Sequence, residues 1–146
     1  MKELKLPPID AKIKTENGQT SIYDSIRKKY LVLTPEEWVR QHFIQLLVKH
    51  LNYPSGLFQL ERQHEYFKSK KRSDILVMDQ KGNPFLLIEC KSYDVKINQS
   101  TLNQVAMYNK TIEAPFIGVT NGMQHFAWEF VNEEYVQLAN FPAYSA

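Results

Sequence analysis

The sequence predicts a single mixed α/β domain, and three observations support that prediction. The chain has 146 residues, which suits one domain of ordinary size. Its hydrophobic content of 43% is sufficient for a packed core and too high for a disordered chain. Helical and strand-like stretches follow one another in the order helix, about three strands, helix, two strands, which is the order of a mixed α/β fold.

Residues 1–19 are expected to form an irregular N-terminal arm, because this stretch is polar and contains two consecutive prolines. No linker divides residues 20–146, which are therefore predicted to form the domain itself. The first residues lack the apolar stretch of a secretory signal, and no apolar run approaches the ~18–20 residues of a membrane span. With one cysteine in the chain, no internal disulfide is possible, which favours a reducing, cytoplasmic setting.

The first helix has a well-marked start. Thr34 suits the N-cap, Pro35 suits the first helical position, and Glu37 completes a capping box. Apolar residues at helical spacing then continue to about Leu51, where an Asn-Tyr-Pro-Ser-Gly segment ends the helix. We therefore expect one amphipathic helix ahead of the main group of strands.

Strands are predicted after this helix. Residues 57–67 hold a candidate strand with imperfect alternation, whereas residues 73–79 and 84–91 are clear apolar runs. Residues 80–83 have the composition of a turn, so the two apolar runs are expected to pair as a hairpin.

A second helix and further strands complete the prediction. The helix is expected at residues 100–112, where apolar residues follow one side. Strands are expected at residues 116–120 and 125–130, joined by a two-residue hairpin turn at Asn121-Gly122. A short strand is expected at residues 135–138.

Two of the predicted strands carry charge at their ends. Asp74 lies at the start of one apolar run, whereas Glu89 and Lys91 end the next. Ionised groups at the ends of core strands are costly unless they are paired or bind a metal. Because side chains alternate along a strand, Glu89 and Lys91 share a face, about 7 Å apart.

A hairpin centred between Lys81 and Gly82 would set two carboxylates side by side. In that register Asp74 lies opposite Glu89, with β-carbons about 5 Å apart. Carboxylates at that spacing repel each other, and magnesium or manganese, which prefer oxygen ligands, would relieve the repulsion. The alternative is a surface salt bridge between Lys91 and either carboxylate, and a register slip of one residue would separate the carboxylates.

The charged residues of this hairpin resemble the PD-(D/E)XK nuclease signature. Ser73-Asp74 stands at the first strand and Glu89-Cys90-Lys91 ends the second, with Ser73 in place of the usual proline. Residues 33–41 and 72–75 are also similar to the N-terminal nuclease domain of type I restriction enzyme R subunits. The resemblance covers about residues 20–130, which is nearly the whole chain.

The resemblance implies a restriction-endonuclease-like fold, a central mixed sheet flanked by helices, and a nuclease that hydrolyses DNA with Mg²⁺ or Mn²⁺. The sequence does not separate an endonuclease from an exonuclease, or DNA from RNA as the substrate. Asp74 and Glu89 would hold the cation, with the Cys90 carbonyl as a candidate third ligand. Lys91 would orient or help deprotonate the attacking water and would offset developing negative charge.

Three residues outside the hairpin match further features of these nucleases. Gln104 and Tyr108 resemble the Gln-x-x-x-Tyr motif of RecB-like members, and their spacing on a helix makes them face the same way. Glu37 matches the acidic residue that many members place beside the metal. The resemblance implies that Gln104 holds Lys91 or the bound water. It makes Tyr108 a support of the site or a backbone contact, and Glu37 an auxiliary ligand.

The implied partner is DNA, although the net charge of +2 argues neither for nor against it. Residues 27–29 and a cluster containing Lys70, Lys71 and Arg72 are candidates for phosphate contacts, with a solvated loop as the alternative. Type I R subunits couple their nuclease to a motor, but this sequence has no Gly-x-x-x-x-Gly-Lys-Ser/Thr phosphate loop. A motor or another restriction-system protein is therefore an expected partner, and a homodimer is a further alternative.

A second functional hypothesis stays open beside the active nuclease. It is a non-catalytic module that keeps the nuclease fold for DNA binding or for docking to a partner. The presence of Asp74, Glu89 and Lys91 favours the enzyme, because a binding role does not require a pair of carboxylates. The small net charge and the missing motor are compatible with the module.

Overall fold

A computed structural model describes residues 1–59 and 75–145 of the chain. These residues form two α-helices, α1 (Pro35–His50) and α2 (Gln99–Ile112), and a 3₁₀ turn at Ser55–Leu57. The strands are β1 (Ile13–Glu16), β2 (Gln19–Asp24), β3 (Lys29–Val32), β4 (Ile75–Met78), β5 (Pro84–Cys90), β6 (Phe116–Thr120), β7 (His125–Val131) and β8 (Glu134–Leu138). Within the described ranges, no helix is long and apolar enough to cross a membrane.

The central sheet has the strand order β4-β5-β6-β7-β8. Strands β5 and β6 run parallel and the other neighbours run antiparallel, so the sheet is mixed. One face packs against α1 through a cluster that includes Phe43, Leu47 and Ile88. The other face packs against α2 through a cluster that includes Leu87 and Val105. The predicted α/β class with a central mixed sheet flanked by helices is therefore confirmed.

The predicted β4–β5 hairpin is present, and its described register agrees with the prediction. Ile75 pairs with Ile88 and Val77 pairs with Leu86, which fits a hairpin centred between Lys81 and Gly82. The register shifts beyond Val77, at a bulge beside the turn. Asp74, the predicted partner of Glu89, lies outside the described residues, as does most of the candidate strand at 57–67.

The N-terminal segment differs from the irregular arm expected over residues 1–19. Ile13–Glu16 is a strand, and β1, β2 and β3 form an antiparallel sheet, called here the small sheet. Asn17 and Gly18 connect β1 to β2 with φ angles of 52° and 77°. Asn-Gly is a strong signal for such a two-residue turn, and the polarity of the flanking residues concealed it. Upstream, Leu4 is buried in the core on the α1 side.

The turn predicted at Asn121-Gly122 is longer than two residues. Thr120 pairs with His125, so four residues, Asn121 to Gln124, connect β6 to β7. The Asn121 side chain accepts hydrogen bonds from the Met123 and Gln124 N–H groups, at 2.9 and 2.8 Å, and this local bonding stabilises the longer loop. A two-residue turn does join β7 to β8, at Asn132 and Glu133, where both φ angles are positive.

Candidate functional site

Glu89 and Lys91 lie together at the C-terminal end of β5, a strand inside the central sheet. The Glu89 carboxylate is almost fully buried, with 1% exposure, and its Oε2 lies 3.2 Å from Lys91 Nζ. The Lys91 side chain keeps 19% exposure. Its main-chain N–H donates to the Thr120 carbonyl at 2.8 Å, which extends the parallel β5–β6 ladder by one residue. The predicted shared face of Glu89 and Lys91 is therefore present, with the lysine open to solvent.

Alternation along β5 gives Cys90 a different environment from its neighbours. Its side chain is fully buried on the α1 side, in the cluster that contains Ile88. Because the main-chain N–H of Lys91 points to β6, the polar groups of Cys90 point to the opposite, β4 side of the strand. The Cys90 carbonyl is thus directed toward the strand that precedes β5 in the sheet.

Glu37 lies in the first turn of α1 but does not complete the capping box that its position predicts. Thr34 Oγ1 accepts the Glu37 N–H at 3.0 Å, as an N-cap should. The Glu37 carboxylate instead accepts from Arg40 Nη1 at 3.0 Å and from Gln41 Nε2 at 2.7 Å. Positions three and four residues further along a helix lie on the same side as Glu37, which explains these partners.

Arg40 joins this helix to the small sheet. Its Nη1 also donates to Asp24 Oδ2 at 2.9 Å, and Asp24, at the end of β2, is fully buried. Asp24 Oδ1 accepts the N–H groups of Ile26 and Arg27 at 2.8 and 3.3 Å. Asp24, Glu37, Arg40 and Gln41 form what is called here the buried network.

The electrostatics of the buried network favour its charged form. Burial raises the pKa of Asp24, but the Arg40 guanidinium and the backbone N–H donors outweigh burial and leave that pKa below its usual value. Burial likewise lowers the pKa of Arg40, yet the carboxylates of Glu37 and Asp24 reverse the effect and raise it. Helix α1, which carries Glu37, Arg40 and Gln41, packs against β5 in the cluster that contains Ile88 and Cys90, so the network belongs to the layer on the α1 side of β5.

The two predicted site residues on α2 have different environments. Asn98 caps this helix with a capping box to Thr101. Gln104 is exposed, and within the described part of the chain its side chain makes no hydrogen bond. Tyr108, one turn later, is half-buried and packs against the cluster that contains Leu87, on the face of the sheet that Glu89 shares.

Four of the predicted site residues, Lys70, Lys71, Arg72 and Asp74, lie outside the described residues. Within residues 1–59 and 75–145, no three His, Cys, Asp or Glu side chains are grouped closely enough to hold a metal ion. The sequence prediction missed Asp24, Arg40 and Gln41. The sequence did contain a signal for Arg40 and Gln41. These polar residues follow Glu37 by three and four positions, so they lie on the same side of α1, within its buried stretch.

A family model described as Type I restriction enzyme R protein N terminus (HSDR_N) matches residues 35–142. The chain belongs to this family. The match begins with α1 and continues past β8, so it includes Glu37, Glu89, Lys91, Gln104 and Tyr108. The small sheet lies ahead of the matched region. No curated protein and no solved structure gives a significant match to the chain.

Proposed function

We propose that this member of the type I restriction R-protein N-terminal family is a metal-dependent nuclease of the PD-(D/E)XK type that hydrolyses DNA phosphodiester bonds. The observation that carries the proposal is the Glu89 carboxylate, 1% exposed in the central sheet and 3.2 Å from the ammonium group of Lys91. Burial of an ionised group in a core strand costs free energy, and a role in binding a metal ion or substrate would explain why Glu89 occupies this position. Membership of a restriction-enzyme family supports the same reaction.

The donor set at the end of β5 fits a hard divalent cation such as Mg²⁺ or Mn²⁺. Glu89 supplies a carboxylate, and the Cys90 carbonyl is directed to the β4 side, where the predicted register sets Asp74 opposite Glu89. Glu89, Asp74 and the Cys90 carbonyl are the proposed ligands. When bound, the cation would acidify water and offset the negative charge of the phosphate.

The residues around this donor set have separate proposed roles. Lys91, held beside Glu89 but open to solvent, orients the attacking water, assists its deprotonation and stabilises charge on the phosphate. Gln104 is exposed, which leaves its amide available to hold Lys91 or the water. Tyr108 packs against the cluster that contains Leu87, on the face that Glu89 shares, and would support the site from there. Lys70, Lys71 and Arg72 are proposed to contact DNA phosphates.

Glu37 receives a positioning role in this proposal, because its carboxylate is bound by Arg40 and Gln41. Helix α1, which carries the network, packs on the side of β5 opposite to Glu89, and through this packing the network would hold the end of β5 in position. An auxiliary ligand role for Glu37 would require these hydrogen bonds to rearrange.

Cleavage assays test the proposal. Wild type should cut supercoiled plasmid or linear single-stranded DNA with Mn²⁺ or Mg²⁺, and Lys91→Met should lose roughly 100-fold or more of that activity. Lys110→Met is the matched control, because Lys110 is an exposed lysine near the end of α2. Folded wild type that does not cut, or equal rates in wild type and Lys91→Met, would contradict autonomous catalysis. The non-catalytic module, or a missing motor partner of a restriction system, would then be favoured.

Metal binding can be measured separately from cleavage. Mn²⁺ should raise the melting temperature, since a ligand at about 100 times its dissociation constant stabilises the folded state by about 2.7 kcal/mol. Glu89→Gln and Asp74→Ala should abolish the shift, whereas Glu134→Gln, at the exposed start of β8, should keep it. A shift that survives in Glu89→Gln would place the metal elsewhere.

A further inference from the structure

The two faces of the small sheet differ in burial. Ile22 and Leu31 point inward and are buried, whereas Ile13, their neighbour on the same face in β1, is 46% exposed. Their strand neighbours point outward, because side chains alternate along a strand. The outward residues Lys12, Lys14, Tyr23, Tyr30 and Val32 are called here the Lys/Tyr face.

Aromatic rings and lysines are closely associated on the Lys/Tyr face. Tyr23 and Tyr30 are cross-strand partners, with ring centroids 5.3 Å apart in an edge-to-face arrangement. Lys14 Nζ lies 4.2 Å from the Tyr30 centroid, and Lys12 Nζ lies 5.4 Å from that of Tyr23. Tyr30 is 39% exposed and Val32 is 50% exposed. The face therefore offers cations, ring surface and an apolar side chain together.

Positive charge is concentrated in this part of the chain. Residues 12–32 carry a net charge of +3, against +2 for all 146 residues, so the remainder is slightly acidic. One of the two acids, Asp24, is buried against Arg40, and the other, Glu16, makes an exposed pair with Lys14 at 3.2 Å. Exposed pairs of this kind are weak and are readily exchanged for a phosphate. Lys28 and Lys29, in and after the β2–β3 turn, add further exposed charge.

We propose that the Lys/Tyr face binds single-stranded DNA, as a second contact surface separate from the Glu89–Lys91 site. Lysines bind the phosphates, and the tyrosine rings and Val32 receive unpaired bases. A duplex is disfavoured because its stacked base pairs hide the faces that such rings contact. The identification of the bound nucleic acid as DNA rests on the proposed function. The shape and charge of the surface are observed independently of that function.

The surface is tied to the candidate site through a short series of contacts. Asp24 ends β2 and binds Arg40 on α1, and α1 packs against β5 in the cluster that contains Ile88 and Cys90. A single DNA strand bound to the small sheet would therefore be connected, through α1, to β5, the strand that carries Glu89 and Lys91 at its end. The small sheet precedes the region that the family model matches, so the surface is an addition to that region.

Fluorescence anisotropy with labelled oligo-dT tests the proposal. The full chain is measured in EDTA, so that neither cleavage nor metal binding contributes. Lys12→Gln/Lys14→Gln should bind roughly tenfold more weakly than wild type, and the slope of log affinity against log salt should fall by about 1.4, for two lost phosphate contacts. The control, Lys81→Gln/Lys110→Gln, removes two exposed lysines from the central-sheet region and should bind as wild type.

Two further variants separate the contributions. Tyr30→Leu, which keeps an apolar residue in β3, should weaken binding roughly fivefold or more with an unchanged salt slope, because stacking is lost but no charge. Lys28→Gly removes a charge where φ is 57°, a conformation that glycine adopts without strain, so weaker binding there cannot be attributed to unfolding.

The proposal and the nuclease can fail independently. The affinities of wild type, the Lys12/Lys14 variant and the control are compared in EDTA, where no cleavage occurs, so the result does not depend on whether the protein is a nuclease. Equal binding by the Lys12/Lys14 variant and its control would overturn the proposal. Tighter binding of a duplex or of oligo-U in the same assay would also overturn it, by assigning the surface to another nucleic acid.

Discussion

The Glu89–Lys91 pair and the buried network both place charge inside the protein, but they differ in their contact with solvent. In the network, two carboxylates share the Nη1 of Arg40, and Gln41 and two backbone N–H groups complete the set. In the pair, Lys91 meets one described carboxylate and retains 19% exposure. The network is enclosed by its own hydrogen bonds, whereas the pair ends at the surface.

This difference indicates how buried charge can be sorted into structural and functional groups. A cluster whose donors and acceptors are matched within the protein stabilises one arrangement of its elements, here β2 against α1. A charged pair at a strand end that reaches solvent can exchange a partner for a ligand. Sequence resemblance placed Glu37 in the second group, and a capping role was predicted beside it; in the structure its carboxylate is bonded within the buried network, by Arg40 and Gln41.

The largest expected effect is from Arg40→Met, which removes the cation between Asp24 and Glu37. Because two buried carboxylates lose their compensating charge, we expect a loss of about 3–5 kcal/mol in the free energy of unfolding. Denaturant unfolding followed by circular dichroism measures it. Arg40→Lys keeps the positive charge but not the several N–H donors of the guanidinium group, so it should lose less free energy of unfolding than Arg40→Met. A Met variant as stable as wild type would show that the network is not structural.

A smaller effect is expected from Asp24→Asn, about 2 kcal/mol at neutral pH, because buried donors lose a charged acceptor. The pKa of Asp24 is lowered from 3.8, so its contribution is fully present above that unfolded value and is lost as the pH falls through the folded pKa. When the free energy of unfolding is measured from neutral to acidic pH, it should therefore decrease less steeply in the variant than in wild type. Parallel curves for both proteins would contradict the lowered pKa.

His125 is a titratable residue that lies next to the Glu89–Lys91 pair through its contact with Thr120. Its Nδ1 lies 2.7 Å from Oγ1 of Thr120, whose carbonyl accepts the Lys91 N–H. Burial lowers the pKa of His125 from 6.5, against a smaller opposing effect of the Lys5 carbonyl. Its stabilising contribution is thus present above pH 6.5 and is lost as the pH falls through the folded pKa.

We expect His125→Gln to flatten the decline in stability between pH 7 and pH 5, measured as the melting temperature at each pH. His42→Gln is the matched comparison, because burial lowers the pKa of His42 as well and its ring Nδ1–H donates to the Trp38 carbonyl within α1. Flattening in the His42 variant alone would assign the pH dependence to α1.

The smallest effect on stability is expected at the proposed site itself. Glu89→Gln should change the free energy of unfolding by no more than about 1 kcal/mol, because the amide fills the same space and the Lys91 side chain, 19% exposed, can turn its charge to solvent. Thermal unfolding without metal measures this, beside Arg40→Met as the contrast. A loss as large as that of Arg40→Met would make Glu89 a structural residue and remove the distinction between the two regions.

Local signals predicted much of the central sheet. Thr34 and Pro35 fixed the start of α1, residues 116–120 form β6 as expected, and Glu89 and Lys91 share a face. The small sheet was missed because Tyr23, Tyr30 and Val32 on its exposed face mask the alternation of Ile22 and Leu31 with their neighbours. The loop after Thr120 was predicted too short because the bonding of the Asn121 side chain was not considered.

The sequence by itself determined the elements whose causes lie within a few residues of each other: helix caps, strand alternation, and the hairpin register set by the turn between β4 and β5. The tertiary structure decided which charges meet. Glu37 has the same local sequence whether it caps its helix or binds Arg40, and Asp24 reaches Arg40 only because β2 packs beside α1. Such contacts depend on the packing of distant segments, and local propensity carries no information about that packing.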